Sequence, residues 1–184
     1  ARLGCPIARG GSFRFRRDIA TFAADCDWAT VFPGLLQGQR PDVIVLATGI
    51  WEVVDRRFPG DDRWRHIGQP EVDAYILKEL VSAIDVLGAS GAKVVLLTYP
   101  HFQAGLDQGF TNLPESDPAR VDRLNELLRQ AAAARPGVAT VLDLSADVLY
   151  DVARGLEDRD ADRIRAGLQV ARASQADVTL MDRT

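Results

Sequence analysis

Three short apolar runs, separated by amphipathic segments of helical length, restrict the folds open to this chain more than any other feature. Residues 43–48 and 93–98 read VIVLAT and KVVLLT, and the third run covers residues 138–144. Continuous apolar runs of this length are typical of strands that are buried on both faces of a sheet. Because the strands alternate with helices, we predict an α/β fold with a parallel sheet and right-handed crossovers.

Two helices between these runs are indicated by apolar spacing and by end signals. Residues 71–87 place apolar side chains three and four positions apart, and the Gly-containing residues 88–91 close that helix. A second helix begins at Pro118, with Asp117 as its N-cap, and stops before Pro136-Gly137.

The remaining segments are less regular. We predict a short helix over residues 27–38, interrupted by Pro33-Gly34, and a long loop over residues 99–118. The polar residues 146–166 favour no single structure, and residues 171–180 are predicted to form a last helix.

Length and composition indicate one domain over residues 1–184, with 47% hydrophobic residues to build its core. The net charge of −4, with acidic and basic residues interspersed, excludes a typical nucleic-acid surface. No apolar run reaches the length of a membrane span. A sheet of three strands is thin and the chain opens without Met, so we expect a fragment of a longer protein that lacks its first strand.

The two cysteines, Cys5 and Cys26, leave two interpretations open. They are either unpaired small core residues or one disulfide, which would stabilise the fold by about 3 kcal/mol in the loop-entropy model. Their spacing and the lack of nearby histidines exclude a CxxC or zinc motif, and we expect no metal and no cofactor.

Common catalytic motifs are missing from the sequence: it has no GxSxG, P-loop, GxGxxG or HExxH pattern. Of the two histidines, His66 and His101, the second is the better candidate for a base because it follows the strand over residues 93–98. Ser12 is a poor candidate for a nucleophile, because the preceding Ile7-Ala8-Arg9 does not resemble an apolar strand.

The order of several motifs resembles the SGNH hydrolases. These motifs are Gly-Cys near the start, a second Cys followed by Trp28, then RPDVIVLATGIWEVVDRR, KVVLLTYP and a late R-x-x-G-L pattern. The closest resemblance is to the extracytoplasmic SGNH domain linked to acyltransferase type 3 membrane proteins. It implies a flavodoxin-like, three-layer α/β/α fold and a part in O-acylation of surface glycans.

The resemblance also implies a site at the carboxyl edge of the sheet. Gly4 matches the Gly of the second SGNH block, and Gly49 and Trp51 occupy the Gly and Asn positions of the third, which makes these three the oxyanion-region candidates. Thr48, Trp51 and Glu52 are the expected substrate-binding residues. A plainer interpretation of the last two is a core-capping aromatic and a helix-start acid.

Two positions of the last SGNH block differ from the family. Ala166 stands where the family has Asp and Gln169 where it has the catalytic His, and no Gly-Asp-Ser block occurs in the chain. A serine esterase needs the nucleophile and the base that activates it. The resemblance therefore implies an esterase or O-acyltransferase domain that is inactive as this isolated chain. The alternative is a non-catalytic accessory or glycan-binding module on the same fold.

Location and partners follow from the same resemblance. An extracytoplasmic domain, periplasmic or at the cell surface, favours the Cys5–Cys26 disulfide over two free thiols. The expected substrate is an acylated glycan or another small ester. A membrane acyltransferase domain, covalently linked through an N-terminal region, is the expected tether, and no nucleic acid is expected as a partner.

Overall fold

The computed structural model describes residues 5–102 and 113–144. Several positions named above lie outside the described residues: Gly4, Ala166, Gln169 and the segments 146–166 and 171–180. In chain order the elements are β1 (Ser12–Phe15), β2 (Asp18–Thr21), α1 (Trp28–Gln37), β3 (Val43–Ala47), α2 (Ile50–Val53), β4 (Asp55–Arg57), α3 (Pro70–Gly88), β5 (Lys93–Leu97), α4 (Pro118–Ala133) and β6 (Ala139–Leu142).

A parallel sheet with the order β3-β5-β6 forms the centre of the described fold. Val43 pairs with Lys93, and Val94 pairs with Ala139. The three predicted strands are confirmed, each within a few residues of its expected bounds. The structure is thus mixed α/β, with a parallel three-stranded sheet flanked by helices.

The three long helices also match the predictions. Asp27 caps α1 and Asp117 caps α4, and each carboxylate accepts a hydrogen bond from the backbone N–H two residues later. The predicted interruption of α1 at Pro33-Gly34 is wrong, because the helix continues through both residues to Gln37. In the long loop before α4, residues 103–112 are not described, and Pro114–Ser116 form a 3₁₀ turn.

Within the described residues, the long helices all pack on one face of the parallel sheet. Leu46, Leu96 and Val94 point into this helical layer and are buried. On the opposite face, Val43 is 55% exposed and Val45 is 60% exposed, so the predicted burial of β3 on both faces is wrong in this part of the chain. The reason is topological: both crossovers run in the same direction along the sheet, so right-handedness puts α3 and α4 on the same side.

A second, antiparallel sheet with the order β2-β1-β4 was not predicted. Its tight hairpin turns at Arg16 and Arg17, which have φ values of +51° and +79°. Arginine is not a residue that favours this left-handed conformation, so the turn had no recognisable signal in the sequence. Phe13 and Phe15 on one face of β1 pack against Trp51, which ties this sheet to the loop after β3.

Candidate functional site

The loops that follow β3 and β5 meet at the carboxyl edge of the parallel sheet, where open α/β sheets bind ligands. The contact is close: a Cβ atom on Gly49 would lie only 2.5 Å from the Cε2 atom of Tyr99. No residue other than glycine fits at position 49 unless the Tyr99 ring moves. The loop that carries Thr48, Trp51 and Glu52 and the loop that carries His101 therefore adjoin at this edge.

Glu52 holds one of these loops in place. Its side chain is 2% exposed, and its carboxylate accepts hydrogen bonds from the backbone N–H of Ile7, at 2.6 Å, and of Gly49, at 3.2 Å. The helix-start interpretation of Glu52 is confirmed, because it lies in the first turn of α2. Since the Gly49 N–H donates to Glu52, it is already paired in this arrangement.

Arg56 is the buried counter-charge of Glu52, and sequence reasoning missed it. Its guanidinium donates to the carbonyl oxygens of Ala8, at 2.6 Å, and Trp51, at 2.8 Å. Burial raises the pKa of Glu52, an effect that the charge of Arg56 opposes, and burial lowers the pKa of Arg56. No pattern in the sequence distinguishes Arg56 from the less buried arginines around it, such as Arg57 and Arg63.

Glu52 and Arg56 also hold the irregular segment that leads from the disulfide into β1, because Glu52 accepts from the N–H of Ile7 and Arg56 donates to the carbonyl of Ala8. Residues 6–8 are buried without forming a strand. The carbonyl oxygen of Ile7 accepts from Trp28 Nε1 at 2.9 Å, and that of Arg9 accepts from the Tyr75 hydroxyl at 2.9 Å. The N-terminal segment, residues 6–9, is therefore fixed by side chains from three helices.

Trp51 has a packed ring and an unpaired indole N–H. Three phenylalanines surround the ring with edge-on contacts, at centroid distances of 5.3 Å for Phe13, 5.4 Å for Phe15 and 5.6 Å for Phe22. Among the described residues, nothing accepts a hydrogen bond from Trp51 Nε1. The ring of Trp51 thus caps an aromatic cluster, as its plainer interpretation predicted, and its indole N–H takes no part in that packing.

Thr48 stands at the end of β3 with its hydroxyl oxygen shielded from solvent and without a hydrogen-bond partner in the described part of the chain. A buried hydroxyl without a partner costs free energy, and such groups are often completed by water or by a ligand. The equivalent residue after β5, Thr98, is satisfied instead, because it accepts from the backbone N–H of Leu144 at 2.7 Å.

His101, the candidate base, pairs with Asp122 at the same edge. The His101 Nε2 and Asp122 Oδ1 atoms are 2.8 Å apart, and both side chains are exposed. The loop that carries His101 is clamped by Asn125, whose side-chain amide bonds both the N–H and the carbonyl of Tyr99 at 2.8 Å. Within residues 5–102 and 113–144, no serine, threonine or tyrosine hydroxyl bonds to His101.

The other candidates lie away from this edge or are committed to structure. Ser12 is part of β1 in the antiparallel sheet, and His66 Nδ1 contacts the carbonyl of Ile67 at 2.7 Å. Cys5 and Cys26 form the predicted disulfide, so neither cysteine of the chain is a free thiol. The part of the chain that the structure describes contains no group of three side chains placed to hold a metal ion.

Comparison of the chain with models of known families, with curated proteins and with solved structures finds no match. The disulfide suggests a non-cytoplasmic environment. Among the described helices, none is long and apolar enough to cross a membrane.

Proposed function

We propose that this chain is an SGNH-type domain concerned with acyl esters of surface glycans, and that the 184 residues alone do not catalyse ester hydrolysis. The observation that carries the proposal is the loop after β3. It lies at the carboxyl edge of a parallel sheet and carries Trp51, whose indole N–H has no acceptor among the described residues; the oxyanion role of this N–H is part of the proposal and rests on the resemblance.

The proposed lack of activity follows from what acyl transfer requires. The reaction needs a nucleophile, a base that accepts its proton and donors for the developing oxyanion. His101 could act as a base toward solvent, but no hydroxyl among the described residues bonds to it, and both cysteines are in the disulfide. The Gly49 N–H, which would be an oxyanion donor, is paired with Glu52.

The proposal is tested with the full chain, a fluorophosphonate probe and p-nitrophenyl acetate. We expect no covalent adduct in the intact mass, because fluorophosphonates label activated serines and no serine among the described residues bonds to His101. Exposed imidazoles react slowly with p-nitrophenyl acetate, so His101→Gln is the control that separates such background from turnover. A stoichiometric adduct on any serine would contradict the proposal, whatever the rate with the acetate ester.

A second function, binding of an acylated glycan without hydrolysis, is favoured by one specific observation. Thr48 Oγ1 is buried without a partner in the described residues, and the indole N–H of Trp51, in the same loop, also has no acceptor there. An ester carbonyl and a sugar hydroxyl would supply the acceptors and donors that these two atoms lack.

Binding is measured by calorimetry with O-acetylated xylan, and with the same xylan after alkaline deacetylation as the control. We expect the acetylated polymer alone to bind, and Thr48→Val, which keeps the shape of the side chain, to weaken it about tenfold because one hydrogen bond is lost. Equal affinity for both polymers, or an unchanged affinity in Thr48→Val, would rule out this second function.

We propose an extracytoplasmic location for the same domain, periplasmic or at the cell surface, and a membrane acyltransferase domain as its partner in cis. What supports the location is the Cys5–Cys26 disulfide, since such bonds persist in oxidising compartments. The partner domain rests on the resemblance of residues 40–57 to the acyltransferase-linked branch.

A further inference from the structure

Two arginines and a tryptophan form a stacked cluster on the antiparallel sheet. The proposed function uses none of these three residues. The Cζ atom of Arg14 lies 4.4 Å from the centroid of the Trp64 ring, and that of Arg57 lies 4.2 Å from it. We call Arg14, Arg57 and Trp64 the Arg–Trp cluster. Guanidinium groups at these distances are attracted to an indole face, which orders their long side chains.

The register of the strands determines which way this cluster faces. Ser12 pairs with Arg57 and Phe13 pairs with Arg56, so alternate residues point to opposite faces of the sheet. Phe13 and Arg56 point toward Trp51 and the core, which places Arg57 on the outer face. The Arg–Trp cluster therefore lies on the opposite side of this sheet from the candidate functional site.

Gly11 fixes the backbone of Arg57 in position. A Cβ atom on Gly11 would lie 1.8 Å from the carbonyl oxygen of Arg57, and Gly11 has a φ of +73°, so glycine is required there for both space and conformation. The backbone of Arg57 is thus held by tight packing against Gly11, and its guanidinium lies over the indole ring of Trp64.

The charges of the cluster are only partly compensated. Arg14 is 3.3 Å from Asp55, and the same carboxylate is 2.9 Å from Arg120, so one acid serves two guanidinium groups. Arg57 has no carboxylate partner among the described residues. The Nε atoms of both Arg14 and Arg57 are shielded from solvent and lack hydrogen-bond partners in the described chain.

We propose that the Arg–Trp cluster binds an oxyanion group, such as a carboxylate, sulfate or phosphate. Arg57 supplies the uncompensated charge, and its guanidinium donates to the oxyanion through the N–H groups at its edge. Trp64 keeps both guanidinium planes ordered, so little side-chain entropy is lost on binding, and Arg14 shares its charge between Asp55 and the ligand.

The oxyanion group can belong to a free ion or to an acidic polysaccharide, and the experiment distinguishes these two kinds of ligand. Sulfate and inorganic phosphate represent free ions, and polygalacturonate represents the carboxylates of an acidic polysaccharide. Titration calorimetry of the full chain at low ionic strength measures each probe, with unfolding of every variant followed by circular dichroism. Binding only of the polymer assigns the site to acidic glycans, and binding of the ions alone assigns it to small anions.

The variants separate a shaped site from a general attraction of anions to positive charge. Arg57→Gln should weaken binding about tenfold or more, because a charge-assisted hydrogen bond is lost. Arg57→Lys should also weaken it, since a lysine keeps the charge without the planar fork. Arg63→Gln is the matched control: this residue is next to Trp64, its side chain is 74% exposed, and it is outside the cluster.

The control variant should change affinity by less than about twofold, as expected for a screened surface charge. An equal loss in Arg63→Gln and Arg57→Gln would overturn the proposal, and so would the absence of saturable binding for all three probes. The result of this binding experiment does not depend on whether the chain hydrolyses esters, because the cluster and the candidate functional site lie on opposite faces of the sheet.

Discussion

The N-terminal segment, residues 6–9, and strand β3 are neighbours with opposite environments. The segment has no regular structure, yet residues 6–8 are buried and its polar backbone atoms are paired with Glu52, Arg56, Trp28 and Tyr75. Strand β3 is regular and wholly apolar, yet among the described strands it lies at the edge of its sheet, and it exposes Val43 and Val45.

The difference shows that burial in this molecule follows side-chain contacts from distant elements rather than local hydrophobicity. Irregular backbone can be buried only if its N–H and carbonyl groups find partners, and here long polar side chains supply them. An apolar strand is buried on a given face only where another layer covers it, and the described helices cover one face of β3. Four measurements test the comparison, from the largest expected effect to the smallest.

Removing Glu52 should be the most damaging single change. Glu52→Ala leaves Arg56 buried without its counter-charge and the N–H of Ile7 buried without an acceptor, which should lower the free energy of unfolding by about 3 to 5 kcal/mol. Urea denaturation of the variant and the unaltered protein measures this difference in the free energy of unfolding. Glu126→Ala, which removes an exposed acid, is the control and should cost less than about 1 kcal/mol. Adding Arg56→Met should recover part of the loss, and a purely additive double variant would contradict the buried pair.

The disulfide should rank next. Cys5 and Cys26 are 21 residues apart, so replacing both by Ala should cost about 3 kcal/mol through the greater freedom of the unfolded chain. Reduction of the unaltered protein should produce the same shift in the urea midpoint, with a mass increase of two hydrogens as the check. If neither treatment moves the midpoint, the N-terminal segment does not depend on its covalent link to the start of α1.

A matched pair of valines tests the two faces of the sheet. Val94→Ala, at a fully buried position of β5, should cost about 2 kcal/mol because two methyl groups leave the core. Val45→Ala removes the same groups from an exposed position of the adjacent strand and should change stability by less than about 0.5 kcal/mol. A comparable loss at both positions would show that the outer face of β3 is covered in solution.

An exposed ion pair should have the smallest effect. Asp85 pairs with Arg135, and the hydrogen bond from that guanidinium lowers the pKa of the carboxyl group. A lowered folded-state pKa contributes stability above the unfolded value, near pH 4, which is lost as the pH falls through the folded value. Asp85→Asn should therefore cost less than about 1 kcal/mol at neutral pH and nothing at low pH. Urea unfolding at several pH values checks this, and a loss that persists in acid would point to packing instead.

Much of the fold could be predicted because its signals are local. The apolar runs at β3 and β5, the spacing of α3 and the cap Asp117 depend on residues close together in the sequence. The antiparallel sheet could not, since its turn uses two arginines in a conformation that they rarely adopt. The loop after β3 was correctly placed at the sheet edge, but Arg56 and Asn125, which hold the two loops, gave no recognisable signal.

By itself, the sequence determined the order of strands and helices, the parallel sheet and the edge at which Gly49 and Trp51 lie, because periodicity and capping act over a few residues. Only the tertiary structure decided that Glu52 is a buried support whose carboxylate pairs with Ile7, 45 residues away, and that one face of β3 is left open among the described residues. The physical reason is that hydrogen bonds to buried backbone and the coverage of a sheet face depend on groups that are distant along the chain.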